Sequence, residues 1–257
     1  MVKKGEFAMK SFLISGAANG IGAEIAQRLL EQGAQVYALD FNAEALEDLV
    51  KQTPDSSRLT TIVCDISNEV AVASALKGIS SKTSSLDGLV NAAGIVRAKN
   101  FLEMANADWQ QIFSVNLFGT FHLIKFSTPL LLAAESPRIV NFASMAGKIS
   151  GAFTAPYAAS KAAVISLTRS AAVALAPKIN VNSICPGIIE TPMWDGLSAD
   201  LAGLGFPDHF KNRSAQAPLG RPGKSSEVAD AALFLLSDAA RYITGEDLNV
   251  SGGLVMH

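Results

Sequence analysis

Phe12-Leu13-Ile14-Ser15-Gly16-Ala17-Ala18-Asn19-Gly20-Ile21-Gly22 reads as a β-strand, a glycine-rich turn and the first turn of a helix. The apolar residues at its start fit a buried strand, and Ile21, Ile25 and Leu29 then recur at helical spacing. Glycine adopts backbone conformations that a Cβ resists, and it lets main chain approach a ligand closely. A helix start adds unpaired N–H groups and the positive end of the helix dipole, which together attract a pyrophosphate. The segment therefore predicts a nucleotide-binding turn, with Gly16, Asn19, Gly20, Ile21 and Gly22 as candidate contacts. Its Gly-x-x-x-Gly-x-Gly spacing differs from the Gly-x-Gly-x-x-Gly of the usual dinucleotide fingerprint.

Further β-rich runs follow at 35–39, 61–64, 88–90, 138–142, 181–185 and 248–250, with helical spacing such as Ala45, Leu46, Leu49 and Val50 between them. Several of these runs are apolar on both faces, as in a parallel sheet covered on both sides. The alternation predicts an α/β fold: one doubly wound, seven-stranded parallel sheet with helices on both faces. No linker divides the chain, so residues 11–257 read as one domain behind a tail at 1–10, with Met9 a second candidate start and 1–8 loose. One long connection, about 187–214, follows the sixth strand, where such sheets bind ligands. Long connections are commonly lids or binding loops, and Trp194, Leu197, Leu204 and Phe206 are its candidate pocket residues.

Composition narrows the partners. With 257 residues, 49% of them hydrophobic, the chain can bury a sizeable core. A net charge of −2 without a basic cluster argues against nucleic acid. No apolar run reaches the ~18 residues of a membrane span, and the start lacks the apolar centre of a secretory signal. A cytoplasmic protein is expected. Cys64 and Cys185 lie in apolar strand-like runs and read as buried thiols rather than a disulfide. His122, His209 and His257 have no ligand-like spacing, so no metal site is expected.

The chemistry centres on Tyr157 and Lys161. Residues 155–176 are alanine-rich and read as one helix, with Pro156 in its first turn and Pro177 stopping it. Tyr157 and Lys161 are then one turn apart on one face. A phenol keeps its proton to a pKa of about 10, but an ammonium group beside it favours the phenolate and makes tyrosine a usable acid/base. Asp40 closes the second strand about 20 residues after the glycine turn, where an acid receives ribose hydroxyls. Its charge repels a 2′-phosphate, and Asn19 offers no cation to hold one, so NAD is expected over NADP. Asn116 falls in an apolar stripe with Trp109, Ile112, Phe113, Thr120, Leu123 and Ile124, where a buried amide must find partners. Ser144 follows the fifth strand at its carboxyl end.

Together, Gly16, Gly20 and Gly22, the segment Asn91-Ala92-Ala93-Gly94, Asn116, Ser144, and Tyr157 with Lys161 resemble the classical short-chain dehydrogenases/reductases over nearly the whole chain. The resemblance implies a Rossmann-type domain using a nicotinamide cofactor to interconvert alcohols and carbonyls. It casts Tyr157 as the acid/base, Lys161 as the group that lowers its pKa and binds the nicotinamide ribose, and Ser144 as a partner of the substrate oxygen. Asn116 would hold a water-linked proton relay behind the lysine. Asp65 and Ile66 would bind adenine, Asn91, Ala93 and Gly94 would border the cofactor, and Pro186, Gly187, Ile188 and Thr191 would hold the carboxamide. Ala92 stands where a second asparagine, which ties neighbouring strands, is common in the family.

Thr191-Pro192-Met193-Trp194 and the terminal Gly252-Gly253-Leu254-Val255-Met256 look like members that act on polyols, diols and small hydroxyketones. The alternatives are a 3-oxoacyl-thioester reductase and a nucleotide-sensing regulator without turnover. Family members commonly form tetramers through the two helices that here carry Phe118, Phe121 and Phe126, and Ala162, Ala163, Ser166, Ala171 and Ala172. A homotetramer is the corresponding expectation.

Overall fold

The computed structural model describes residues 5–256, so His257 and the first four residues lie outside it. β1 (Ser11–Ser15), β2 (Gln35–Asp40), β3 (Leu59–Val63), β4 (Gly88–Asn91), β5 (Arg138–Phe142) and β6 (Asn180–Pro186) alternate with helices. The first three of those helices are α1 (Gly20–Glu31), α2 (Ala43–Gln52) and α3 (Glu69–Ser80). Next come α4 (Asn106–Phe113), α5 (Thr120–Leu132) and α6 (Ala155–Leu175). Two residues each form β7 (Ile189–Glu190) and β8 (Gly223–Lys224), which flank α7 (Met193–Gly203) and α8 (His209–Ala215). Finally, α9 (Ser225–Leu236) precedes β9 (Asp247–Val250).

Seven strands form one parallel sheet in the order β3-β2-β1-β4-β5-β6-β9. The order reverses between β1 and β4, which opens a crevice at the carboxyl ends of those strands. Side chains alternate across a strand, so consecutive apolar residues feed two cores. Phe12 and Ile14 meet Ile25 and Leu29 of α1 and Val228 and Leu233 of α9. Leu13 points the other way, into a core with Val72 and Leu76 of α3, Leu123 of α5 and Ala172 of α6. This is why β1, β4 and β5 read as unbroken apolar runs.

The tail is not loose where it is described. Phe7 is fully buried and meets Phe12 edge to face at 5.4 Å, and Glu6 accepts a hydrogen bond from the Asp238 amide at 2.9 Å. Burying a phenylalanine stabilises by about 1.5–3 kcal/mol, so a start at Met9 would forfeit a core residue.

The apolar stripe around Asn116 is not one helix. A π-helical segment, Ser114–Gly119, separates α4 from α5 and holds Asn116. The expected loop at 187–214 is largely helical, because Leu197 and Leu201 of α7 bury themselves against Val96. α6 is long and apolar enough to cross a membrane by length and composition, contrary to the expectation of no such stretch. Here it packs against β5 and β6, and it buries Ser160 and Lys161.

Candidate active site

The glycine turn is shaped by main chain on every side. Gly16 has φ +67°, and a Cβ there would sit 2.6 Å from the Ala93 nitrogen. At Gly22 it would sit 2.1 Å from the Gly16 carbonyl oxygen. No side chain caps α1, since Asn19 makes no capping bond and no acid lies in the first turn. An uncapped helix start beside a surface only glycine can form fits a nucleotide pyrophosphate. A Cβ on Gly20 would lie 3.4 Å from the Thr191 side chain, so the start of the lid stands over this turn.

Asp40 stands at the end of β2. Its Oδ2 accepts from the Ala18 amide at 3.1 Å and its Oδ1 from the Asn42 amide at 3.0 Å. Each carboxylate oxygen has a second lone pair, so the carboxylate is oriented and can still accept ribose hydroxyls. Asp65 is exposed and bonds Ser67. Ile66 is buried against Gly119, and its carbonyl meets His122 Nδ1 at 3.0 Å.

Asn91 uses its side-chain amide within the sheet. Its Nδ2 donates to Asn141 Oδ1 at 2.8 Å, and Asn141 Nδ2 donates to Thr168 of α6 at 2.9 Å. The amide nitrogen ties β4 to β5, and Asn141 carries the tie on to α6, while the buried Asn91 Oδ1 has no hydrogen-bond partner among the described residues. The strand tie missed at Ala92 is thus supplied one residue earlier. Ala93 donates to Ser15 Oγ at 3.5 Å.

Gly94 brings the reacting groups close: a Cβ there would meet Asn116 Oδ1 at 3.2 Å and Lys161 Nζ at 3.3 Å. Asn116 is fully buried. Its Oδ1 accepts from the Ile95 amide at 2.8 Å, and its Nδ2 donates to the Ile95 carbonyl and to Ser160 Oγ, both at 3.0 Å. Both of its donors are therefore engaged, one by the Ile95 main chain and one by the Ser160 side chain next to Lys161, leaving one Oδ1 lone pair toward any relay.

Ser144 caps the short turn Met145–Gly147, accepting from the Ala146 amide at 3.1 Å. A Cβ on Gly147 would lie 2.8 Å from the Ala162 nitrogen, so this turn is pressed onto α6. The Ser144 hydroxyl thereby stands beside the Tyr157 phenol, and both line one cavity. Burial pushes the Tyr157 phenol above its ordinary value, and the Ser144 hydroxyl pulls it part of the way back. Burial also lowers the Lys161 ammonium to about 8. The lysine donates to the Phe142 carbonyl at 2.7 Å, with its Nζ 5.8 Å from the tyrosine ring centre. Desolvation is the largest influence on the phenol, so its value stands above the ordinary one. Both cysteines are buried and free, and burial pushes Cys185 up to about 11, which keeps it a thiol.

These groups open into a cavity of about 310 Å³, which Ser144, Tyr157, Lys161, Pro186, Gly187 and Ile188 line in part. Gly187 is needed there because a Cβ would fall 2.7 Å from Ser251 Cα. Trp194 and Leu197 of the lid line the cavity too, whereas Leu204 and Phe206 do not. Phe206 instead supports the lining residue Phe153 at a ring distance of 4.9 Å. Sequence reasoning missed Phe153, His209 and Arg213. The last two stand four residues apart on α8, a spacing that would have been informative had the lid been read as helical.

A doubly wound sheet with a glycine-built turn, beside a cluster of Ser144, Tyr157 and Lys161, defines a nucleotide-binding oxidoreductase. The chain belongs to the short-chain dehydrogenase/reductase family: a family profile described as enoyl-(acyl carrier protein) reductase matches residues 16–255. It is 37% identical over 254 residues to 3-oxoacyl-(acyl-carrier-protein) reductase FabG of Staphylococcus aureus, covering 96% of this chain and 98% of that one. It is also 37% identical over 250 residues to cis-4-hydroxycyclohexanecarboxylate dehydrogenase of Sinomonas cyclohexanicum, covering 96% and 97%. Two solved structures from Brucella melitensis are similar as well. One is a glucose/ribitol dehydrogenase (TM-score 0.90, 36% identity, 99% and 100% coverage). The other is a 3-oxoacyl-(acyl-carrier protein) reductase with bound NAD (TM-score 0.87, 33% identity, 99% and 94% coverage).

Proposed function

We propose that this protein is a cytoplasmic, NAD-dependent oxidoreductase that interconverts a secondary alcohol and its ketone. The observation that carries the coenzyme choice is Asp40, whose carboxylate is held by two backbone amides at the end of β2. A 2′-phosphate would meet a fixed negative charge there. NAD supplies the hydride acceptor, and NADH the donor, when bound. Gly16, Gly20 and Gly22 would seat the pyrophosphate, while Gly94, Pro186, Gly187, Ile188 and Thr191, which line the cavity, would border the nicotinamide end. Tyr157 moves the proton at its phenol oxygen to or from the substrate oxygen, and Ser144 orients that oxygen. Lys161, cationic below about 8, stabilises the phenolate as it forms.

Of the polyol, diol and small hydroxyketone substrates suggested by the lid and terminal segments, the cavity favours those with few hydroxyls. Its wall of Ile149, Phe153, Met193, Trp194, Leu197 and Leu201 offers little to hydrogen-bond a polyol. The Sinomonas relative, by name, acts on a hydroxyl borne by a cyclohexane ring. A 3-oxoacyl-thioester reductase is the second reading, favoured by the 37% identity to the staphylococcal reductase. A regulator without turnover would have no use for the Ser144, Tyr157 and Lys161 set. A homotetramer is proposed on the exposed Phe118 and Phe121, with Val173 of α6 also exposed.

Binding of NADH and NADPH tests the coenzyme reading. NADH is expected to bind more tightly, and Asp40→Ala to narrow the gap; equal wild-type affinities would defeat it. Turnover of an acetoacetyl thioester with NADPH, faster than of any free ketone with NADH, would install the second reading.

A further inference from the structure

The catalytic cavity carries an uncompensated charge on its lid side. Its basic lining residues are Lys161, His209 and Arg213, and none of its lining residues is acidic. In a chain of net charge −2 that asymmetry is local. Lys161 is committed to the Phe142 carbonyl. His209 and Arg213 lie one turn apart on α8 and share a face. Among the described residues no carboxylate forms an ion pair with Arg213. Its Nη1 donates instead to Gln216 Oε1 at 2.7 Å, a neutral partner that orients the guanidinium without cancelling its charge. His209 lies along the Trp194 ring, 6.5 Å between centres, so the basic pair sits at the edge of the apolar wall.

Burial and the Arg213 charge beside it push the His209 imidazole below its ordinary value, so the guanidinium carries the charge and His209 adds a neutral N–H donor that an anion at Arg213 can reach. A guanidinium presents a planar fork that matches a carboxylate. The pyrophosphate of a coenzyme already has its own seat at the Gly16–Gly22 turn. We propose that Arg213, with His209 beside it, receives a carboxylate of the substrate. The substrate is then a secondary alcohol or ketone on a compact apolar body, with a carboxylate remote from the reacting carbon. This rests on the oxidoreductase reading above and names the substrate class of that site.

The test compares cis-4-hydroxycyclohexanecarboxylate with its neutral primary amide, using wild-type protein and NAD. A charge-assisted contact should raise kcat/KM for the acid about 10- to 100-fold over the amide. In Arg213→Gln that ratio should fall to near unity, and Arg213→Lys should restore part of it. Equal wild-type values, or a ratio unchanged in Arg213→Gln, would overturn the proposal. So would a raised KM for NAD with the ratio intact, which would assign Arg213 to the coenzyme. Calorimetric binding of cyclohexanecarboxylate and cyclohexanecarboxamide to the wild-type protein with NADH needs neither turnover nor a variant. Tighter binding of the acid supports the carboxylate site even if no alcohol is oxidised, a result that would instead sink the oxidoreductase reading. Equal or absent binding removes the carboxylate site.

Discussion

At the carboxyl edge of the sheet, Asn116, Ser144, Ser160 and Lys161 each have a named polar partner, and added methyl groups at Gly16, Gly22 or Gly147 collide with main chain. Across the cavity the lid is held mainly by side-chain packing: Leu197 and Leu201 against Val96, Phe153 on Phe206 at 4.9 Å and Trp194 on Phe210 at 5.0 Å. The Ala98 amide also donates to Asp200 Oδ2 at 3.1 Å. Hydrogen bonds fix direction as well as distance, and steric walls admit no slack. Ring contacts tolerate sliding and retilting at small cost. The sheet edge therefore fixes the reaction, while the lid can change what is held against it. Substitutions on the two sides should differ in kind, with the first removing chemistry or fold and the second altering affinity.

The largest effect is expected at the phenol. Tyr157→Phe removes the proton donor while keeping the ring that Lys161 faces. It should lower kcat by about 10²–10⁴-fold, the usual worth of a positioned acid/base, with coenzyme affinity little changed. Steady-state kinetics on any accepted alcohol checks it, and an unaltered kcat would remove Tyr157 from the chemistry.

Gly16→Ala comes next. The new Cβ meets backbone at 2.6 Å in a residue with φ +67°. Both the overpacking and the left-handed backbone are penalised, together by about 1–3 kcal/mol or more. Thermal denaturation should show a lower Tm, and NADH affinity should drop with it. A variant with wild-type Tm and affinity would mean that this wall yields.

The fold was readable wherever one local signal sufficed. β1 declares itself because Phe12, Leu13 and Ile14 are all apolar, and α6 because Pro156 and Pro177 bracket an alanine-rich run. The π-helical segment at Ser114–Gly119 was not readable, because one extra residue per turn barely disturbs an apolar stripe. Phe7 looked like tail because its partner Phe12 becomes visible only once β1 is packed. Gly16, Asp40, Asn116, Ser144, Tyr157 and Lys161 could all be singled out as types at positions. The direction of the Tyr157 shift could not, since desolvation depends on everything folded around the ring. The tie from Asn91 to Asn141 was not readable for the same reason: Asn141 is a strand neighbour fifty residues away.

Lys161 offers a pH test of how tightly the sheet edge is closed. Its folded-state pKa is about 8, against about 10.4 for a free lysine. Between those values the unfolded chain binds more protons, so stability rises with pH as the buried ammonium loses its charge. Below about 8 the cost of burying that charge is fully present. Urea unfolding at pH 8 and pH 10 should show the wild type gaining about 1–2 kcal/mol relative to Lys161→Met. Parallel pH dependence in the two proteins would mean that water reaches the lysine.

The smallest effect is expected on the lid, at Phe206. Its ring is half-exposed and does not line the cavity, so it acts only through Phe153. Phe206→Ala deletes an aromatic pair worth about 0.5–1.5 kcal/mol. A role in positioning predicts that KM for the alcohol rises several-fold at unchanged kcat, because Phe153 drifts while Ser144 and Tyr157 stay fixed. Phe206→Tyr keeps the ring and should restore KM. A loss of kcat in Phe206→Ala would mean that motion in the lid reaches the hydrogen-bonded edge, and the two sides of the cavity would then be one mechanical unit rather than two.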